Sequence, residues 1–542
     1  TLTRYVLFTV APQSSLKTKY IIYARVIDDR IIGRIGGNRM RYSRVRTITT
    51  MGLKVMDVLV ELDIDSRALV QDMDIVGLGD TVVKESKKRV KSAVKNSGIE
   101  LPNGRITVNL APSDVKKEGS YLDLPIAVGL LKATAQIKPD LSDFIFFGEL
   151  GLDGSLRKVR GVLPILLSLS RKANGTKVVL PAPNMAEASI VDKLTIYTID
   201  NLNELVGFLN GQIRKEPVNY EKPELGNLAT PDMSEIKGQE FAKRAAEVAA
   251  AGGHNLLLRG SPGCGKTMLA RRIPSILPPL TMDEAIETTM IYSVSGLLGD
   301  RGLIKERPFR SPHHTASTTS IVGGGNDARP GEISLSHNGV LFMDEFPEFR
   351  RDVIEALRQP LEDGVITVAR AKLTATYPAR FMMVAAQNPC PCGWYGDKTR
   401  ECTCSWYEIQ RYNRKISGPM EDRIDIFVDM PRLDFDKYME TSIAESSASV
   451  RERVIRARNR QLERYRGMNL FSNSQLGHSL LKEYVNLDPT SRSLLSGAVD
   501  KMKLTARSID RILKVALTIA DLEENKVLAR HIAEAIQYRK KT

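Results

Sequence analysis

Gly260-Ser261-Pro262-Gly263-Cys264-Gly265-Lys266-Thr267 is the stretch of sequence that decides the fold. It matches the pattern Gly-x-x-x-x-Gly-Lys-Ser/Thr and lies between a short apolar segment, Asn255–Leu258, and a predicted helix that begins at Lys266. The glycines allow backbone N–H groups to surround phosphate oxygens, the Lys266 ammonium can reach the β- and γ-phosphates, and the Thr267 hydroxyl can bind Mg²⁺. All eight residues are therefore expected to bind ATP, within an α/β fold of the P-loop class.

A second stretch, Gly339–Glu345, is an apolar strand that ends in two carboxylates. We expect Asp344 to hold Mg²⁺ through water and Glu345 to polarise the water that attacks ATP. A third predicted strand, Phe381–Ala386, leads to Asn388, whose side chain would orient the same water at the carboxyl end of the sheet. Each of these residues alone could be an ordinary strand end or turn residue. Behind a P-loop they favour a site that hydrolyses ATP.

Four of the five cysteines lie within fifteen residues. They form two Cys-x-Cys pairs separated by nine residues, and the four positions are Cys390, Cys392, Cys402 and Cys404. In a reducing compartment this clustering favours a structural Zn²⁺ held by thiolates over disulfides. Because Cys-x-Cys is tighter than the usual Cys-x₂-Cys spacing, free or redox-active thiols stay open as the alternative.

The positive charge of the chain is unevenly distributed. Residues 1–50 hold ten Lys and Arg against two Asp, so they contribute +8 of the net +14, and the other 492 residues contribute only +6. The whole-chain charge is therefore weak evidence for a polyanionic partner. Beyond a strand-like stretch at Tyr20–Val26, residues 1–50 lack apolar periodicity, and we set them apart as an uncertain basic segment with Met51 as an alternative start.

The composition and patterning indicate several domains. Roughly two to four domains are expected at this length. Predicted strands and helices alternate over 51–210, an unpatterned stretch covers 211–232, the P-loop core with the cysteine insertion 390–404 covers 233–432, and a helical region covers 433–542. This predicts an α/β protein with a three-layer P-loop core and a helical lid, preceded by a smaller α/β domain. No apolar run approaches the roughly 20 residues of a membrane span and no signal pattern occurs, which predicts a cytoplasmic protein without membrane contact.

A hairpin is predicted directly before the strand that leads to Asn388. Residues 365–377 alternate like two strands around a turn that would carry Arg370 and Lys372. These cations could follow a DNA backbone without reading its bases. A surface hairpin with solvated charges is an equal alternative, and the lysine-rich predicted helix Asp80–Ser97 is the next candidate for the same role.

Several longer motifs, in one order along the chain, resemble the signatures of the ComM/YifB proteins, which are Mg-chelatase-like AAA+ ATPases. They are Asp74–Gly77, Ile106–Pro112, Arg307–Thr315, Pro330–Gly339, Gln387–Gly393 and Ser417–Asp425. The resemblance runs from about Met51 to the C-terminus. It implies a homo-hexameric ring motor with a Lon-protease-like N-terminal domain, which acts on single-stranded or branched DNA as a branch-migration helicase in natural transformation and homologous recombination, with recombination proteins as further partners.

The resemblance also assigns residues. On the matching positions it makes Arg423 the arginine finger that reaches the γ-phosphate of a neighbouring subunit, and Arg507 the sensor 2 residue. Such a cation stabilises the transition state only when the ring is assembled. In the Lon-like domain, Tyr121 falls at the position of the protease serine, and Val162–Ile165 hold no lysine where the dyad needs one, so we expect no protease activity.

The sequence leaves open the position of the first strand and the choice between alternative functions. The first strand of the family is expected just before Met51, where residues 41–50 match poorly, so this strand and its pairing are uncertain. A chelatase-type motor that remodels a protein partner and a non-catalytic assembly module are the alternative functions. The intact Lys266, Asp344 and Glu345 argue against the second of these.

Overall fold

A computed structural model describes residues 41–68, 72–77, 81–113, 119–172, 175–222, 231–325, 327–370, 373–397, 399–432 and 444–539. The strand-like stretch Tyr20–Val26 and the hairpin residue Lys372 lie outside these residues.

The N-terminal sheet is mixed and has seven strands in the order β3-β4-β2-β1-β5-β8-β9. Its strands, together with the short pair β6 and β7, are β1 Arg41–Met51, β2 Lys54–Asp65, β3 Asp72–Val76, β4 Arg105–Ala111, β5 Phe144–Phe146, β6 Glu149–Leu150, β7 Leu156–Arg157, β8 Lys177–Pro181 and β9 Thr195–Ile199. The helices are α1 Thr81–Asn96, α2 Asp123–Ala133, α3 Val162–Lys172, α4 Met185–Ala188 and α5 Leu202–Leu209. A single apolar core runs through these elements.

Residues 41–50, which the sequence analysis set apart, belong to this sheet. β1 pairs with β2 in antiparallel register from Arg41 opposite Ile64 to Met51 opposite Lys54. The apolar pattern typical of a strand is weak here because polar residues occupy core positions. Thr47 Oγ1 donates to Phe146 O over 2.6 Å, and Thr49 Oγ1 lies 2.7 Å from the hydroxyl of Tyr121. The proposed start at Met51 therefore falls inside a paired hairpin.

The P-loop sheet is parallel and has five strands in the order β11-β14-β17-β10-β18. With two accessory two-stranded sheets, the strands of this region are β10 Leu256–Arg259, β11 Phe309–Arg310, β12 Gly323–Gly324, β13 Arg329–Pro330, β14 Val340–Met343, β15 Val365–Arg370, β16 Leu373–Pro378, β17 Met382–Gln387 and β18 Ile426–Asp429. Its helices are α6 Glu240–Gly252, α7 Lys266–Ile276, α8 Met282–Ser295, α9 Thr318–Val322, α10 Glu332–Leu335, α11 Arg351–Ala356, α12 Arg358–Asp363, α13 Trp406–Asn413 and α14 Gly418–Glu421.

Helices cover both faces of the P-loop sheet. Leu256 and Leu258 pack into one core together with α6 and α7, whereas Leu257 packs into another core with α11. Strands that are buried on both faces read as continuous apolar runs, which is why the sequence revealed them. The predicted mixed α/β fold with a parallel P-loop sheet is confirmed.

The C-terminal region is helical, as predicted. Its helices are α15 Ser447–Arg464, α16 His478–Tyr484, α17 Pro489–Met502, α18 Ala506–Leu522 and α19 Ala529–Gln537. Apolar residues of α18, including Ile512, Val515 and Ile519, complete the core on the α6 side of the P-loop sheet. Among the described residues, no helix is long and apolar enough to cross a membrane.

Candidate functional site

The P-loop joins the end of β10 to the start of α7. Gly263 and Gly265 adopt positive φ angles of 80° and 97°, which a residue with a Cβ rarely adopts. Lys266 is 8% exposed, and its Nζ donates to the carbonyl oxygens of Gly260 and Ser261 over 2.6 and 3.0 Å. The loop thus holds a buried ammonium beside backbone that can turn its N–H groups toward phosphate, so the residues present fit a nucleotide.

The two predicted Mg²⁺ residues meet. Thr267 Oγ1 donates to Asp344 Oδ2 over 2.9 Å, although 77 residues separate them in sequence. Hydroxyl and carboxylate oxygens are the ligands that Mg²⁺ prefers. Glu345 follows at the end of β14 with a left-handed φ of 51°, and its N–H donates to Asp344 Oδ1 over 3.0 Å. This unusual backbone turns the Glu345 carboxylate outward, where its side chain is 50% exposed.

Asn388 lies against the same lysine. Its Oδ1 accepts from Lys266 Nζ over 3.2 Å. The contact follows from the sheet order, because β17 and β10 are neighbours and both end at this edge. Lys266, Thr267, Asp344, Glu345 and Asn388 therefore gather at the carboxyl ends of β10, β14 and β17.

His314 is a site residue to which the sequence analysis gave no role. Its Nδ1 lies 3.0 Å from Glu345 Oε2, and its ring packs on His313 with 4.2 Å between ring centroids. It also meets the ring of Phe349 edge-on. The only sequence signal was the pair of histidines within the motif Arg307–Thr315.

The four predicted cysteines form one cluster. Their sulfur atoms all lie within 4.8 Å of one another, and Cys390 Sγ is 3.3 Å from Cys392 Sγ and 3.6 Å from Cys402 Sγ. In a tetrahedral zinc site with Zn–S bonds of about 2.3 Å, the sulfurs would be about 3.8 Å apart. The donor set and its spacing fit Zn²⁺.

The cysteine loop packs on the P-loop. A Cβ added at Gly393 would lie 2.8 Å from two ring carbons of Pro262, so the backbone at Gly393 lies close to the Pro262 ring. Asp397 accepts hydrogen bonds from Thr399 and from Ser261, which lower its pKa to about 2. The cysteine loop therefore contacts the P-loop at Pro262 and at Ser261.

The two arginines expected from the resemblance lie apart from this cluster of residues. Arg423 forms an ion pair with Glu362, and its Nη1 donates to Pro419 O over 2.7 Å. Arg507 is exposed in the first turn of α18 and forms no hydrogen bond or ion pair within the described part of the chain. Arg511, one turn further along α18, forms an ion pair with the buried Asp425.

The predicted hairpin exists as β15 and β16, paired from Val365 opposite Pro378 to Arg370 opposite Leu373. Helix α1 is the alternative candidate for the DNA contact, and two of its lysines lie close to Asp72. Lys87 Nζ lies 2.6 Å from Asp72 Oδ1, and Lys91 Nζ lies 3.8 Å from the same atom. Asp72 therefore neutralises part of the positive charge of α1.

In the N-terminal sheet, Tyr121 is buried and its hydroxyl lies 2.7 Å from Thr49 Oγ1. The adjacent Ser120 forms a hydrogen bond with the Glu149 carboxylate. Val162–Ile165 form the start of α3 and are buried in the core.

Comparison with known families matches almost the whole described chain. The model for magnesium chelatase subunit ChlI matches residues 232–438, that for the ChlI subunit of Mg-chelatase matches 60–184, and that for the ChlI C-terminal region matches 444–539. The chain is 40% identical to the uncharacterized protein YifB of Escherichia coli over 505 residues, which cover 92% of this chain and 97% of YifB. It is 42% identical to the competence protein ComM of Haemophilus influenzae over 506 residues, which cover 92% and 96%.

A more distant similarity is confined to part of the chain. A DNA replication licensing factor of Drosophila melanogaster is 29% identical over 217 residues, which cover 38% of this chain and 25% of that protein.

Proposed function

The chain belongs to the ComM/YifB family of Mg-chelatase-like AAA+ proteins, and on this premise we propose that it is a ring-forming ATPase that acts on DNA as a branch-migration helicase. The observation that carries the proposal is the contact of Thr267 with Asp344 beside Glu345. A buried strand that brings a Mg²⁺-binding pair and an exposed carboxylate to a P-loop is the arrangement that phosphoryl transfer to water needs.

In this proposal each residue has one role. Lys266 and the P-loop N–H groups bind the phosphates, and Thr267 and Asp344 hold Mg²⁺, which when bound neutralises charge on the β- and γ-phosphates. Glu345 orients the water and accepts its proton, and the Asn388 amide helps to position that water. The 50% exposure of Glu345 supports this role, because the carboxylate must be reached by water from outside the P-loop.

Arg423 and Arg507 would complete the site from other elements. Arg423 forms an ion pair with Glu362 within its own chain, so its role toward a second copy requires that this pair opens. Arg507 is exposed without an ionic partner in the described residues and can turn toward nucleotide if the C-terminal helices close over it. Both arginines would act on phosphate charge.

The proposed DNA contact is the β15–β16 hairpin, through Arg370 and Lys372. The strand pair is anchored, because Ile366, Val368 and Tyr377 are buried in the core under the P-loop sheet. β16 leads within a few residues into β17 and Asn388, so the hairpin is joined by covalent chain to the hydrolysis site. The name of the competence protein agrees with a role in natural transformation, and the name of the DNA replication licensing factor agrees with a DNA substrate.

ATPase rates measured with and without single-stranded DNA and a four-way junction test the function. We expect DNA to stimulate hydrolysis. A rate that DNA leaves unchanged favours the chelatase-type motor, and an absence of hydrolysis favours the assembly module.

A matched pair of variants tests the grip. Arg370→Ala with Lys372→Ala should abolish DNA stimulation and reduce the salt dependence of DNA binding by about two phosphate contacts. Lys88→Ala with Lys95→Ala removes the same charge from α1, where both lysines are exposed, and should leave stimulation intact. The reverse pattern would move the DNA contact to α1.

A further inference from the structure

A cationic groove lies next to the strand end that carries Glu345. It has a volume of about 520 Å³ and is lined by Tyr407 and Arg411 of α13, by Arg414 at the C-terminal end of that helix, and by Phe349 and Arg351, which follow Glu345. Tyr407, Arg411 and Arg414 have a spacing of four and three residues, which places them on one face of the helix. The groove therefore combines elements on both sides of the hydrolysis site.

The groove is lined by four cations and by Glu348, and three of the cations have no ion-pair partner within the described chain. Arg351, Arg411 and Arg414 are exposed and form no ion pair with any described residue, whereas Lys415 pairs with Glu348 over 2.8 Å. Tyr407 is 73% exposed and the adjacent Trp406 is 63% exposed. Exposed Trp, Tyr and Arg on one surface are typical of the central contacts of protein interfaces.

The same chain carries an acidic surface of complementary charge. Glu362 and Asp363 lie exposed at the end of α12, and Glu362 pairs with Arg423. Two acids next to the expected arginine finger thus face solvent in the single chain. Their charge matches that of the unpartnered arginines in the groove.

The two surfaces stand at opposite ends of one helical stretch. Arg351 is the first residue of α11 and Asp363 is the last residue of α12, and the two consecutive helices are joined at Leu357. Surfaces at opposite ends make a head-to-tail contact, which closes into a ring when the rotation between copies allows it.

We propose that the groove of one copy receives Glu362 and Asp363 of a second copy, and that this contact frees Arg423 for the neighbouring nucleotide. The groove arginines compete with Arg423 for Glu362, so the finger is held back in the single chain and released on assembly. This inference rests on the proposed ring, and it names the surface that closes it.

Two charge-reversal variants test the contact. Variant one is Arg411→Glu with Arg414→Glu, which makes the groove acidic; variant two is Glu362→Lys with Asp363→Lys, which makes the other surface basic. Sedimentation velocity with a slowly hydrolysed ATP analogue should show assembly of the wild-type chain and at least about tenfold weaker assembly of either variant alone. An equal mixture should assemble again, because every contact in an alternating ring then joins opposite charges. ATPase activity should return with assembly.

The proposal is overturned if either variant alone assembles as the wild type does, or if the mixture does not recover assembly. If variant one assembles normally but loses single-stranded DNA binding, the groove is a nucleic-acid surface. A wild-type chain that assembles and hydrolyses ATP without any response to DNA would contradict the proposed DNA function and leave the docking contact standing.

Discussion

Gly52, in the turn between β1 and β2, lies against Tyr377 in the hairpin strand β16. A Cβ added at Gly52 would lie 3.2 Å from the Tyr377 hydroxyl and 2.9 Å from Ala375 Cβ. Tyr377 is fully buried and donates to Ala328 O over 2.9 Å. The N-terminal sheet therefore touches the base of the hairpin that we propose grips DNA.

Gly52→Ala should disturb this contact, because the new methyl group needs space that Ala375 occupies. Gly98→Ala is the matched control: both glycines have positive φ, 60° and 74°, but no atom lies within 4 Å of a Cβ at Gly98. The left-handed backbone costs about 1–2 kcal/mol in both variants. We expect Gly52→Ala to lower the melting temperature further and to reduce DNA stimulation of the ATPase. Equal effects in the two variants would show that the contact is unimportant.

Glu187 joins the N-terminal sheet region to α8. The buried carboxylate accepts from Ser293 Oγ over 2.5 Å and from Asn184 Nδ2 over 3.0 Å. Burial raises the pKa of Glu187 from its ordinary value of 4.5. A carboxyl group with a raised pKa stabilises the fold below its unfolded value and loses that contribution as pH rises through the folded value. The melting temperature of the wild type should therefore fall relative to Glu187→Gln as the pH rises above the ordinary carboxyl value of 4.5. A constant difference across this range would contradict the raised pKa.

Lys266→Ala and Glu345→Gln should separate binding from hydrolysis. Lys266 contacts ground-state phosphates in our proposal, so its loss weakens nucleotide affinity. Glu345 acts on the water, so Glu345→Gln should retain ATP while hydrolysis falls about 10²- to 10⁴-fold. Equilibrium binding of a fluorescent ATP analogue and single-turnover hydrolysis measure the two effects. Unchanged turnover in Glu345→Gln would refute the assignment.

His314 is expected to position Glu345, given the 3.0 Å between Nδ1 and Oε2. His314→Ala should lower kcat about tenfold with little change in KM, because the contact bears on the water and not on ATP binding. His314→Asn keeps a polar group near Glu345 and should recover part of the rate. His313→Ala removes a ring that packs on His314 but no contact with Glu345, so its effect on kcat should be smaller than that of His314→Ala. A change in KM alone would point to a structural role.

The sequence predicted the parts of the site that neighbouring residues define. The P-loop, the carboxylate pair after β14 and the cysteine spacing each lie within one short stretch, so their patterns were complete in the sequence. The contact of His314 with Glu345 and that of Gly393 with Pro262 were not predictable, because they join distant stretches through the fold. β1 was expected from the resemblance but stayed uncertain for another reason: Thr47 and Thr49 satisfy their hydroxyls inside the core, and a pattern based on apolar residues cannot detect that.

We expect about one Zn²⁺ per chain, bound by Cys390, Cys392, Cys402 and Cys404 at roughly 2.3 Å. Metal analysis of freshly purified, reduced protein measures it. Absence of zinc in such a sample would leave only the thiol interpretation.

Loss of the metal should also weaken nucleotide binding, because the cysteine loop lies on Pro262 through Gly393 and bonds Ser261 through Asp397. Cys402→Ser with Cys404→Ser should lose both zinc and affinity for a fluorescent ATP analogue. Thr403→Ala, between the same cysteines, should retain both and serves as the control. A zinc-free variant with wild-type affinity would mean that the loop holds its place on the P-loop without metal, since a structural zinc contributes folding energy only where the loop depends on it.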